Sequence, residues 1–207
     1  MSTYNIIHNI TISADGPVVD GESIHLRQGD MDGACGPYCM MMCLLILGVI
    51  GRSEALAPDN LDGRTSIGKL WAYFREFKAF FSEGTSLDDL EKLLSIFKRH
   101  VSVESCPDSG LEARKFVFEH LTNDHPVVLG IHGAGFAHWV VIVGWEDVES
   151  DGIPERFLLL DPGLESPRTS AWNAVIDLAS VYGRYPYNYW DGQQQQYVSL
   201  NGAVAIY

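Results

Sequence analysis

Long apolar runs are missing from this chain: the longest, Met40–Ile50, has eleven residues, about half of the ~20 that a membrane-spanning helix needs. The run reads as a buried helix. The N-terminal stretch MSTYNIIHNITISADG lacks a basic flank ahead of an apolar segment, so it does not read as a secretory leader, and a cytoplasmic location is expected. Basic residues are scarce as well. Fourteen Lys and Arg against 27 Asp and Glu leave a formal net charge of −13, which repels phosphate backbones and anionic bilayers and argues against nucleic-acid and membrane partners. Cysteines number four, and Cys35, Cys39 and Cys43 recur at intervals of four. That spacing lines them along one helical face at separations that disfavour bridging, so all are expected as thiols. Cys39 and Cys43 have no histidine at ligand spacing, and neither a metal nor another cofactor is expected. There is no internal repeat, and the only low-complexity stretch, Gln193–Gln196, reads as a polar connector.

The chain does have enough apolar material for a core: 46% of its 207 residues are hydrophobic and 20% charged, which excludes disorder and suits one domain over residues 1–207. Residues 4–12 carry β-branched side chains and predict a strand, broken by Asp15-Gly16-Pro17. From Gly36 to about Gly48 the pattern turns helical, with Pro37 tolerated in the first turn. Residues 66–81 place Ile67, Leu70, Trp71, Phe74, Phe77 and Phe81 at helical intervals, and Leu87, Leu90, Leu93, Leu94 and Phe97 do so over 87–99. Ser86 with Asp89 resembles a capping box. A further helix is expected over 111–121. Beyond it, the short apolar runs 126–132, 138–145, 156–161 and 197–207 predict strands. The pattern as a whole predicts an α+β fold, a helical N-terminal half packed on a C-terminal antiparallel sheet.

Chemistry concentrates at three places. Cys35 opens the first long helix, where free N–H groups and the positive end of the helix dipole favour a thiolate, and Gly33 and Gly36 leave room for a substrate backbone. Of seven histidines, His138 begins a strand just after the turn Gly133-Ala134-Gly135, and Asp161 closes the next strand before Pro162-Gly163. An antiparallel hairpin through the acidic loop 146–155 would bring the start of one beside the end of the other. Asp161 would then hold the His138 imidazole and stabilise its protonated form, leaving His138 to act as the base for Cys35. Within that loop Asp147, Glu149, Asp151 and Gly152 imitate the start of a calcium loop, but Leu158 stands where the closing glutamate belongs, so a solvated hairpin is expected. The aromatic stretch Tyr182–Trp190 reads either as a wall of the cleft or as a surface loop.

The segments QGDMDGACGPYCMMMCLLILG, AHWVVIVGW and FLLLDPG resemble, in that order, the cysteine, histidine and aspartate motifs of papain-like cysteine peptidases. They are nearest to the bacteriocin-processing branch that removes double-glycine leaders. The resemblance implies a peptide or protein substrate, a Cys35-His138-Asp161 triad, and Gln28 as the side-chain donor to the oxyanion beside the Cys35 N–H. The branch places that glutamine six positions before the cysteine where this chain places it seven before, and Gly33 and Ala34 separate Asp32 from Cys35. A loop glutamine without catalytic duty remains the other reading of Gln28. The same triad serves proteolysis, glutamine deamidation and transglutaminase-type acyl transfer, since all pass through a thioester. A catalytically silent binding or adaptor module is the alternative from another class. Neither composition nor motif bears on the oligomeric state.

Overall fold

The computed structural model describes residues 2–29, 33–57, 61–76 and 84–207. The chain opens with strand β1 (Thr3–Ile6), followed by a small antiparallel sheet of β2 (Thr11–Ser13), β3 (Gly16–Val19) and β4 (Glu22–Ser23). Helices α1 (Cys35–Ile46), α2 (Arg52–Leu56), α3 (Ser66–Glu76) and α4 (Leu87–Ser95) come next, then β5 (Val103–Ser109) and α5 (Leu111–Leu121). The remainder is β6 (Val127–Gly133), β7 (Phe136–Asp147), β8 (Arg156–Leu160), β9 (Ala174–Asp177), β10 (Tyr187–Trp190) and β11 (Gln195–Ile206).

These last six strands pair in the order β7-β6-β11-β10-β9-β8, and β8 pairs back onto β7, so the sheet closes into an antiparallel barrel. β1 adds to it beside β7 and β5 beside β11. This overturns the expected fold class: the molecule is not a helical half packed on a C-terminal sheet. Two strands of the front half are built into the sheet, and the ring has no open edge between β7 and β8. Closure satisfies backbone groups that an open edge would leave to solvent. The expected strand over 4–12 is two strands belonging to different sheets. Phe77 and Phe81, expected at the end of the helix over 66–81, lie outside the described residues, as does Asp32.

α1 explains how the helices and the barrel share one core. Eleven of its twelve residues, all but Tyr38, are buried, the signature of a helix enclosed on every side and not amphipathic. Met40, Met42, Leu44 and Ile46 belong to the same apolar cluster as Val128, Ile131, Val140, Ile142, Leu159 and Leu200 of the barrel. Each such fully buried side chain contributes about 1.5–3 kcal/mol. No helix among the described residues is long and apolar enough to cross a membrane. All four cysteines are free thiols.

Candidate active site

Helix starts in this protein are treated in two ways. α4 is closed by a capping box in which the Ser86 Oγ accepts from the Asp89 N–H and the Asp89 carboxylate accepts from the Ser86 N–H. α1 has Ala34 at its cap, which makes no side-chain capping hydrogen bond. Its first residue is Cys35, so the thiol sits at the positive end of the helix dipole. Gly36 allows the next wall to come close: a Cβ there would lie 2.8 Å from the Cβ of Thr85. Thr85 is fixed in turn by the Trp139 indole, whose Nε1 donates to its carbonyl at 2.7 Å.

The antiparallel register Val141↔Leu160 carries the start of β7 and the end of β8 to one rim of the barrel. There His138 Nε2 donates to Asp161 Oδ1 at 2.7 Å, and the His138 ring is also hydrogen-bonded to the Cys35 side chain. With Nε2 committed to the carboxylate, Nδ1 is the nitrogen left for sulfur. The residues singled out in the sequence as nucleophile, base and orienting acid thus form one hydrogen-bonded chain. Burial is the largest influence on His138 and disfavours its charge, yet the hydrogen bonds to Asp161 and Cys35 outweigh it and push the imidazole up to about 10. His138 therefore holds its proton at neutral pH, as the counter-ion a thiolate requires. For Asp161 burial again acts first and upward, but the bonds from His138, Tyr189 and Gly163 prevail and its carboxyl lies below the usual range.

Asp161 is held by residues that sequence reasoning missed. Gly163 N–H donates to its Oδ1 at 2.6 Å and the Tyr189 hydroxyl to its Oδ2. Its backbone is clamped by Asn173, which accepts from the Asp161 N–H at 2.7 Å and donates to the Asp161 carbonyl at 3.0 Å. His25 Nε2 donates to that same carbonyl at 3.0 Å, and burial lowers the His25 pKa so that the ring stays neutral. A side chain at position 163 would begin 3.1 Å from Asp161 Oδ1, a tight contact against the carboxylate that accepts from His138. The Pro162-Gly163 breaker was the one sequence signal near this clamp. His25 and Asn173 lie 136 and 12 positions from Asp161 with no shared motif.

Gln28 and Cys35 line the same cleft of about 800 Å³, together with His138, Thr85, Trp139 and Asn201. The Gln28 N–H donates to the Pro162 carbonyl at 2.8 Å, tying the segment before α1 to the residue after Asp161. Its side-chain Oε1 is buried and has no hydrogen-bond partner among the described residues. The floor is shaped by a bulge in β11 at Asn201–Gly202, where Gly202 takes a φ of +74° that favours glycine. The stretch Tyr182–Trp190 is split: residues 182–186 form an irregular segment with Tyr182 fully exposed, whereas residues 187–190 are β10, with Tyr187 and Tyr189 buried. In the calcium-like loop both Asp147 oxygens accept backbone N–H groups, from Asp151 at 3.1 Å and Gly152 at 2.8 Å. Its carboxylate closes a turn.

The other thiols are placed very differently. Burial raises Cys39 and Cys43, and Cys39 Sγ donates to the Trp139 carbonyl at 3.2 Å; burial raises Cys106 too. Iodoacetamide at mildly acidic pH is expected to label Cys35 before any of them, followed by peptide mapping. Equal rates at all four positions would contradict the distinct placement of Cys35 at the helix start beside His138. No known protein-family profile matches the chain, and no curated protein is significantly similar to it.

Proposed function

We propose that this protein is a cysteine hydrolase that cleaves amide bonds of peptides or proteins through a Cys35 thioester. The observation that carries the reading is the hydrogen-bonded series Cys35, His138, Asp161 on the wall of an open cleft large enough for an extended peptide. Cys35 Sγ attacks the carbonyl carbon, and the oxygen that gains charge is met by the Cys35 N–H and the Gln28 amide. His138 gives its proton to the departing amine as the C–N bond breaks, leaving a thioester on sulfur. Water then enters, loses a proton to His138 and displaces the sulfur, which releases the acid and restores the pair. The resemblance of the three site segments to leader-processing peptidases points the same way. Four free thiols suit a reducing compartment such as the cytoplasm.

Incubating wild type and Cys35→Ala with a cell extract, then comparing the products by mass spectrometry, tests the proposal. New peptide ends made only by wild type are expected. Deamidated glutamines or new isopeptide links with intact backbones would replace proteolysis by the other two thioester reactions. No difference between the two proteins would leave a silent binding module as the better reading.

A further inference from the structure

The outside of the barrel carries a second groove, and its pattern follows from strand register. Tyr4 pairs with Glu146, Glu146 with Arg156, Arg156 with Asp177 and Asp177 with Asn188. Directly opposed residues of antiparallel strands share a face, so these five side chains form one polar row across β1, β7, β8, β9 and β10. At the usual strand spacing the row is about 19 Å long. Beside it, Leu158 opposes Val175 and Val175 opposes Trp190, giving an apolar strip that ends on an indole. Trp172 stacks on Tyr4 with ring centroids 5.3 Å apart and planes at 21°. All of these residues line one groove of about 480 Å³. Trp190 is 50% and Tyr4 53% exposed, so large aromatic faces are open to solvent along a floor of hydrogen-bonding groups.

The two carboxylates of the row, Glu146 and Asp177, both pair with its one guanidinium, Arg156, which leaves a net charge of −1 and disfavours an anionic ligand. Arg156 Nη1 donates to Glu146 at 2.7 Å and its Nε lies 3.7 Å from Asp177, while Ser2 Oγ also donates to Glu146 at 2.7 Å. An ionic ligand would have to break these pairs. Asn188 has a buried Oδ1 with no hydrogen-bond partner among the described residues, at a site where burial without a bond costs free energy. A ligand that matches this face is neutral, has apolar faces to lie on the indoles, and carries many groups that both donate and accept. A proline-rich peptide, the other common occupant of aromatic grooves, offers few donors and would leave the polar row desolvated.

From this arrangement we infer that the groove binds a neutral saccharide chain, with its ring faces on Trp190 and the Tyr4-Trp172 stack and its hydroxyls on the polar row. The site does not depend on the proposed hydrolase. Glu146 lies eight residues beyond His138 on β7, roughly 25 Å along the strand, and the groove shares no residue with the catalytic cleft.

Titration of the full-length protein with cellohexaose, maltohexaose and chitohexaose, followed by tryptophan fluorescence and calorimetry, tests it. At least one hexasaccharide is expected to bind, and Trp190→Ala, at a half-exposed position, is expected to weaken it about tenfold or more. Asp177→Ala should weaken it independently, and Cys35→Ala should leave it unchanged. Absence of binding by all three sugars at millimolar concentration overturns the inference. So does binding insensitive to both groove variants, or a fluorescence response to a decaproline peptide and to no sugar.

Discussion

Cys35→Ala and His138→Ala are each expected to lower kcat by about 10⁴ to 10⁶, measured by steady-state kinetics on a peptide chosen from the cleavage sites found in an extract. The two losses should not add in the double variant, because the thiol and imidazole act as one hydrogen-bonded unit. Cys35 lines the cleft although its surface is only 8% exposed, so alanine removes a reacting atom without opening a large core cavity. The thermal midpoint should move little. Gln28→Ala is the milder member of the series, with kcat falling about 10² to 10³ and KM nearly constant, since its amide strengthens its hold only as the oxyanion develops. A Cys35→Ala protein within tenfold of wild type would end the proposed chemistry. Full turnover by Gln28→Ala with Cys35→Ala inactive would move the oxyanion donor elsewhere and leave the triad standing.

Asp161→Asn is expected to separate charge from shape. The carboxylate uses one oxygen to accept from His138 and Gly163 and the other to accept from Tyr189. An asparagine can place its oxygen at the first position and its NH₂ against the Tyr189 hydroxyl, which is able to accept. Orientation of the ring is then kept and the negative charge is lost. Turnover should fall about 10² to 10⁴. The pH profile is the sharper measurement. On the proposed chemistry, loss of the His138 proton is expected to set the alkaline limb, near 10 in wild type; the carboxylate raises that value, so its removal should move the limb to lower pH. An unmoved limb would show that Asp161 does not act on the imidazole. Folding stability follows the same sign. The raised His138 value gives stability that is full below the free imidazole value of 6.5 and is lost as pH climbs through about 10. The lowered Asp161 value gives stability present above 3.8 and lost as pH falls through its depressed folded value.

Much of the local structure was legible from the sequence, and for a physical reason. The helices at 35–46, 87–95 and 111–121 and the strands β6, β7, β8 and β11 coincide with long periodic or continuous apolar runs, where pattern and burial agree. The barrel was not legible because the strands that close it carry weak signals. β9 and β10 have four residues each, too few for alternation to emerge, and β5, which adds to the sheet beside β11, contains Pro107, a residue that demotes a strand in any pattern reading. With those strands unseen, the helical front half and the β-rich back half looked separate. At the site, Cys35, His138 and Asp161 were legible because each stands near the end of a strong element, within three residues of a glycine or proline. Tyr189, His25 and Asn173 act through single contacts across the fold, and a contact of that kind leaves no local pattern. Tyr189 and Trp190 show the limit plainly: neighbours in one aromatic stretch, they face opposite sides of β10, one bonded to Asp161 and the other lining the outer groove.

Closure of the barrel has a consequence for when activity first exists. Cys35 emerges from the ribosome 126 positions before Asp161, an interval of roughly 6 to 25 s at ~5–20 residues per second. Tyr189, which holds Asp161, comes 28 positions later still, and β11, the strand joining β6 to β10, ends at Ile206. A nascent chain exposing Cys35 therefore still lacks both His138 and Asp161. Because such long-range pairing forms slowly even after synthesis, the proposed activity should appear only once the last strand is in place.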